Sequence, residues 1–251
     1  MLRHGEAQHD DALILHARPL RDADLIVTWL GRNNGKCSGV AAHARRSRKR
    51  FEGGLQPGMI GRLGYQERPQ RDLATLADWH VTQAPGRVVT TMPAFAAFGV
   101  IVNLVEQMSM ERQASLERFD LATQTLRNLE TIAPVTVLMQ FLAAWLRACG
   151  FDPFGRLCVR CSAGFGNRAF FSPAEGGALC DTCDRRSVWT MPFPVVCCDA
   201  AVSMQWPDTP ALRDFFRVGI GQQLRHLLGR ELASAAYWEM VWQSSEGRGT
   251  I

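Results

Sequence analysis

The residues best placed to do chemistry are two cysteine pairs, Cys158-x₂-Cys161 and Cys180-x₂-Cys183, with 18 residues between them. A CxxC turn lets both thiolates face one ion while backbone N–H groups support the sulfurs. Two such turns complete a tetrahedral four-sulfur shell. That donor set suits one Zn²⁺, and four thiolates leave no open position for a water, so the site reads as structural rather than catalytic. Phe170-Phe171-Ser172 and Gly176-Gly177 read as a hairpin that returns the chain to the second pair. The competing readings are free reduced thiols or a redox pair. Cys37, Cys149, Cys197 and Cys198 have no matching spacing and read as small buried or free thiols.

A second cluster is electrostatic. Arg45, Arg46, Arg48, Lys49 and Arg50 fall within six residues, and Lys36 is assigned to the neighbouring strand. Residues 1–80 hold 13 Lys/Arg against 9 Asp/Glu, while the rest of the chain is balanced, so the whole net charge of +4 arises there. Clustered cations neutralise a phosphate backbone and release its counterions, so these six residues are the candidate DNA contacts. The competing reading is a solvated surface loop. Trp29, Tyr65 and Trp79 could stack bases but read more naturally as core.

Enzyme signatures are weak. His4-Gly5-Glu6 matches the H-x-E half of a zinc deaminase, but Leu157 and Leu179 stand where the other half needs proline. There is no Walker A loop, no nucleophile elbow and no H-E-x-x-H pair. No catalytic residue is assigned.

The elements that carry these groups change in texture along the chain. Ala12–Arg18, Leu25–Leu30, Lys36–Ala42, Leu55–Tyr65 and Leu73–Val81 read as five short strands, with Asn34-Gly35 as a hairpin turn. Five strands in so short a stretch suit a small closed barrel. From Pro93 the spacing becomes helical: Phe95, Phe98, Val102 and Val105; then Leu116, Phe119, Leu126 and Leu129; then Leu138, Phe141, Leu142 and Trp145, with Gly150 as the terminator. After the cysteine segment, 212–220 and 224–228 read as two helices and Tyr237, Trp238 and Val241 as part of a last one. Residues 244–251 read as a disordered tail. With 251 residues, 47% of them hydrophobic, the chain can bury a substantial core. No apolar run is long enough for a membrane span, and the first residues lack the apolar core of a signal peptide.

Several stretches in this order resemble the RecO family of bacterial DNA repair proteins. Arg21 to Thr28 is similar to its opening hairpin. Gly35-Lys36 and Val40-Ala41 are similar to the following turn and strand. Arg45 to Phe51 with Leu55-Gln56-Pro57 is similar to its basic loop and next strand. Gly150-Phe151-Asp152-Pro153, Phe171-Ser172-Pro173 with Gly176-Gly177, and His226 to Leu232 are similar to later segments. One departure is His43, where the family usually has glycine.

The resulting expectation is a multidomain α+β chain. An N-terminal OB-fold barrel spans 1–81, the first part of a helical domain 82–157, a zinc-binding segment 158–190, and the C-terminal helical part and tail 191–251. The resemblance implies a non-enzymatic recombination mediator. Such a protein binds single- and double-stranded DNA and anneals complementary strands. With RecR, it helps load RecA onto DNA coated by single-strand-binding protein, whose C-terminal tail it engages. Its expected place is the cytoplasm, with the nucleoid and without a membrane. The alternative is another zinc-ribbon nucleic-acid binder, acting in transcription or on RNA.

Overall fold

A computed structural model of the chain describes residues 7–47, 49–67, 72–185, 187 and 189–243. His4, Glu6, Arg48, Arg186 and the tail 244–251 lie outside the described residues. The chain divides into two compact units. One takes in residues up to Thr91 together with Ile101–Glu130, the other Met92–Val100 with the chain from Thr131 onward.

The first unit is built on a closed barrel of β1 (Gln8–Pro19), β2 (Leu25–Gly31), β3 (Gly35–Ala41), β4 (Ile60–Gln66) and β5 (Ala74–Gln83), ordered β1-β2-β3-β5-β4. All pairings are antiparallel except β3 with β5, which is the connectivity of an OB fold. The alternation of strands β2 and β3 places Val27, Trp29, Cys37 and Ala41 inside, where they meet Ile14, Leu63, Tyr65, Leu76 and Trp79. Trp29 and Tyr65 pack with ring centroids 5.2 Å apart. Trp29, Tyr65 and Trp79 are fully buried, so they are core rather than stacking platforms.

The Asn34-Gly35 turn forms as the sequence demands. Gly35 takes φ +68°, and Asp10 accepts from the Asn33 backbone N–H at 3.0 Å and from the Asn33 side-chain amide at 2.8 Å. The strand expected over 55–65 is shorter than its hydrophobic run. β4 begins only at Ile60, because Pro57 lacks a donor and Gly58 turns at φ +81°. Leu55 and Met59 still fill the barrel core from this loop. Helix α2 (Leu116–Asn128) belongs to the same unit. Its Ser115 side chain caps the Arg118 N–H, and Asp120 forms an ion pair with Arg32.

Helix α1 (Met92–Met108) contributes residues to both units. The second unit also holds α3 (Pro134–Ala148), which ends at Gly150 with φ +86° and stacks Phe141 on Trp145. A small sheet follows, of β6 (Phe170–Ser172), β7 (Gly177–Leu179) and β8 (Met191–Pro192), ordered β7-β6-β8, with the short helix α4 (Asp181–Asp184) between its last two strands.

The C-terminal region differs from the two separate helices read over 212–228. α5 (Val196–Ser203) is followed by a continuous helical run from α6 (Pro210–Asp214) to α7 (Gly221–Leu228), with a π segment at Phe215–Ile220 between them. The wider turn lets the adjacent rings of Phe215 and Phe216 both be buried. Gly219 lets this run seat on the small sheet, since a Cβ there would lie 2.8 Å from the Met191 sulfur and 3.2 Å from the Phe171 ring. α8 (Ala235–Gln243) buries Trp238, Val241 and Trp242.

Candidate metal centre and candidate nucleic-acid interface

The first cysteine pair sits on a tight knuckle. The Cys158 N–H donates to Ala163 O at 2.8 Å and the Ser162 N–H to Cys158 O at 2.8 Å, with Ser162 at φ +59°. The Val159 N–H donates to Ala178 O at 2.9 Å, which ties this knuckle to β7. Gly177 allows that approach, because a Cβ there would stand 2.4 Å from Val159 Cγ1. The second pair opens α4. Cys180 is its N-cap residue, and the N–H groups of Cys183 and Asp184 both donate to Cys180 O, at 3.0 and 2.9 Å. The expected β6–β7 hairpin thus brings the two knuckles together.

All four sulfurs lie within 4.8 Å of one another, and Cys161 and Cys180 are 3.8 Å apart. A tetrahedral ion with metal–sulfur bonds of about 2.3 Å requires sulfur–sulfur edges of about 3.8 Å. The donor set therefore fits a metal ion, and none of these four cysteines is in a disulfide. Burial pushes the Cys158 thiol up, but backbone N–H groups of Cys180, Cys161 and Arg160 outweigh it and bring the thiol down to about 6. Burial and the neighbouring sulfurs push Cys183 up to about 12. Four sulfurs this close cannot all carry negative charge unaided, and a divalent cation is what offsets their repulsion.

Arg160 ties the two knuckles. It donates to Cys183 O at 2.8 Å, to Ser187 Oγ at 2.9 Å and to both oxygens of Glu175. Of the other cations near the cluster, Arg156 pairs with Asp199 and Arg168 with Asp181, while Arg185 is exposed and forms no ion pair with a described residue. Of the remaining cysteines, Cys37, Cys197 and Cys198 are buried and Cys149 is half-buried. Burial pushes Cys37 up to about 11 and also raises Cys197 and Cys198.

The basic run forms the loop after β3. His43 adopts φ +57°, the left-handed conformation that a glycine takes most easily, so the departure from the family pattern keeps the turn that glycine would make. Its N–H donates to Asp24 Oδ1 at 2.8 Å. Arg45 donates from its backbone to Ala23 O and from its side chain to Asp22 O, both at 3.1 Å. Arg45, Arg46 and Lys49 are exposed and form no ion pair with a described residue. Arg50 is held inward, donating to Ala42 O at 2.6 Å with its guanidinium 5.1 Å from the Phe51 ring centre.

Lys36 is not brought to this cluster. It lies near the opposite end of β3 from the loop, about 17 Å from Ala41 along the strand. It is largely buried, donating to Glu106 O at 3.1 Å and pairing with Glu111 at 3.5 Å. Two cations absent from the sequence-based set join the loop instead. Arg18, near the end of β1, and Arg21, in the β1–β2 turn, are exposed, and residues 22–24 of that turn are the partners of His43 and Arg45. The only signal for them is the barrel topology, which sets that turn beside the end of β3.

The chain matches the family models "Recombination protein O N terminal" over residues 6–85 and "Recombination protein O C terminal" over 90–194. It is 32% identical to a DNA repair protein RecO of Koribacter versatilis (strain Ellin345), over 69% of this chain and 71% of that protein. It is 30% identical to one of Anaeromyxobacter dehalogenans (strain 2CP-C), over 91% and 94%. A third, from Myxococcus xanthus (strain DK1622), is 29% identical over 94% and 98%.

Proposed function

The chain belongs to the RecO family of DNA repair and recombination proteins, and from that premise we propose that it binds single- and double-stranded DNA and anneals complementary strands. With RecR, it would help RecA load onto DNA coated by single-strand-binding protein. The observation that carries this reading is the group of exposed cations at one pole of the barrel, Arg45, Arg46 and Lys49, none in an ion pair with a described residue. Annealing needs no nucleophile. It needs the repulsion between two phosphate backbones to be screened while the strands are brought together. The protein acts here as a mediator and not as an enzyme.

Zinc is the ion we assign to Cys158, Cys161, Cys180 and Cys183, on the four-thiolate donor set and its tetrahedral fit. It would hold the two knuckles as one rigid piece and take no part in a reaction. No helix among the described residues is long and apolar enough to cross a membrane. A nucleoid-associated place in the cytoplasm follows from the DNA-binding role.

The second unit is where we place the docking of the acidic, apolar-tipped tail of single-strand-binding protein, as the family resemblance implies.

The test is annealing of complementary strands coated with single-strand-binding protein, comparing the parent with an Arg45→Ala, Arg46→Ala, Lys49→Ala variant. The variant is expected to anneal slowly while keeping its fold. If three phosphate contacts are lost, the log–log salt slope for a single strand changes by roughly 0.7 per contact, about 2 in all. A parent protein that neither binds DNA nor anneals it overturns the reading.

A further inference from the structure

We infer that the barrel takes nucleic acid at this pole through phosphates alone, so that paired and unpaired strands compete for one site and the bases go unread. The inference rests on the DNA-binding reading above and specifies what that site recognises.

Two observations lead to it. The first is that the pole is assembled from two loops. The β1–β2 turn and the loop after β3 are joined by the bonds of Arg45 to Ala23 and Asp22 and of His43 to Asp24. With the end of β1 they carry Arg18, Arg21, Arg45, Arg46 and Lys49, all exposed and none in an ion pair with a described residue. The acidic groups of the same loops are fewer: Asp22, Asp24, which accepts from His43, and Glu52. A cluster in which the cations outnumber the carboxylates attracts a polyanion.

The second observation concerns the outward face of β2 and β3, on which barrels of this type commonly hold single strands by stacking bases on aromatic rings. Here the outward pairs are Ile26 with Val40, Thr28 with Ser38 and Leu30 with Lys36. Thr28 and Ser38 bond to each other at 3.0 Å, and Lys36 is held by Glu111 and the Glu106 carbonyl. The face has no phenylalanine, tyrosine or tryptophan. Trp29, Phe51, Tyr65 and Trp79 all lie in the barrel core with at most 2% exposure. With no phenylalanine, tyrosine or tryptophan on this face to stack on, charge is the main means of holding a strand, and contacts to phosphates carry no base information directly.

The ligand class is therefore a phosphodiester backbone of sufficient charge density, whatever its bases. The decisive probe is a single-stranded oligomer of abasic phosphodiesters, matched in length to an ordinary single strand and titrated against the full-length protein at one salt concentration. The two oligomers are expected to bind within about twofold of each other. A blunt duplex should displace the ordinary strand completely.

Arg18→Ala with Arg21→Ala should weaken all three ligands in step, while Arg18→Lys with Arg21→Lys should keep most of the affinity. Circular dichroism checks that each variant is folded. Loss of affinity for the abasic oligomer by roughly tenfold or more, the effect of losing even one stacked base, overturns the inference. So does incomplete displacement by duplex, or an alanine pair that binds like the parent. Absence of binding to every one of these ligands would instead defeat the underlying DNA-binding reading.

Discussion

Arg160, which stands between the two cysteines of the first knuckle, donates to the carbonyl oxygen of Cys183, the last cysteine of the second, at 2.8 Å. The same guanidinium holds both oxygens of Glu175, and Ser187 Oγ lies 2.9 Å from it. Arg160 thus links the first knuckle to the second through its side chain and the Cys183 backbone rather than through the sulfurs. Partners of this kind orient ligands, and their loss typically lowers metal affinity 10–100-fold. Arg160→Ala is expected to lower zinc affinity by a factor in that range, measured by competition with a chromophoric chelator. Arg160→Lys keeps the charge but loses the fork, so it should rescue little. An unchanged affinity in Arg160→Ala would show that the cysteines alone set the geometry.

The metal itself should be needed for the local fold. We expect one zinc per chain by elemental analysis, and none in Cys180→Ser after dialysis. Structural zinc is worth on the order of 10–16 kcal/mol apparent in small modules. β6, β7 and β8 have only three, three and two residues and cannot offset such a loss by themselves. Chelation should therefore abolish hydrogen-exchange protection at Cys158, Val159 and Cys183, whose N–H groups hold the knuckles. Full protection of these amides after metal removal would sink the structural role.

How much of this was legible in the sequence depended on how local each feature is. The cysteine cluster is encoded by two four-residue turns, so spacing alone names the four residues that the fold brings together. The barrel is readable because side-chain alternation and the Asn34-Gly35 turn are short-range signals. Hydrophobicity misplaces the start of β4, since Leu55 and Met59 are buried from a loop that Pro57 and Gly58 keep out of the ladder. The C-terminal helices read as two because a period of 3.6 residues cannot follow a π turn through Phe215 and Phe216. The basic pole is the least legible part. A charge run reveals Arg45, Arg46 and Lys49 but not which cations the fold pins elsewhere. Lys36 is only five residues from Ala41 yet serves the other end of β3, while Arg21, distant in sequence, is a neighbour of the loop.

Buried Cys37 predicts an alkaline weakness. Burial raises its pKa from 9.0 to about 11, with Glu67, Glu111 and Asp10 adding to the rise and Arg112 opposing it. The folded chain keeps this proton longer than the unfolded chain, so its stabilising effect is complete below pH 9 and falls away as pH rises from 9 to 11. About 1.4 kcal/mol per pH unit sets a ceiling of about 3 kcal/mol. Cys37→Ala should flatten this part of the stability-against-pH curve, measured by urea unfolding at fixed zinc. It should not remove the fall entirely, because Cys197 is shifted in the same direction. Parallel curves for parent and variant between pH 8 and 11 would rule out Cys37 as a source.

Arg46 and Arg50 are four residues apart in one basic run, yet the fold gives them different tasks, and this difference can be measured. Arg46 is exposed and unpaired among the described residues, so its guanidinium is free to meet a phosphate. Arg50 donates to the Ala42 carbonyl at 2.6 Å and lies over the Phe51 ring, whose side chain is 2% exposed in the barrel core. Arg46→Ala is therefore expected to change the log–log salt slope for single-stranded DNA by roughly 0.7 with no change in unfolding midpoint. Arg50→Ala is expected to cost about 1–2 kcal/mol of stability through the lost hydrogen bond and ring contact. The salt slope should then move less than in Arg46→Ala, because a guanidinium already engaged by a carbonyl and a ring has fewer donors left for a phosphate. Titrations across a salt series, paired with urea unfolding of both variants, separate the two roles. Equal effects of the two substitutions on salt slope and on stability would mean that the run acts as one undifferentiated charge.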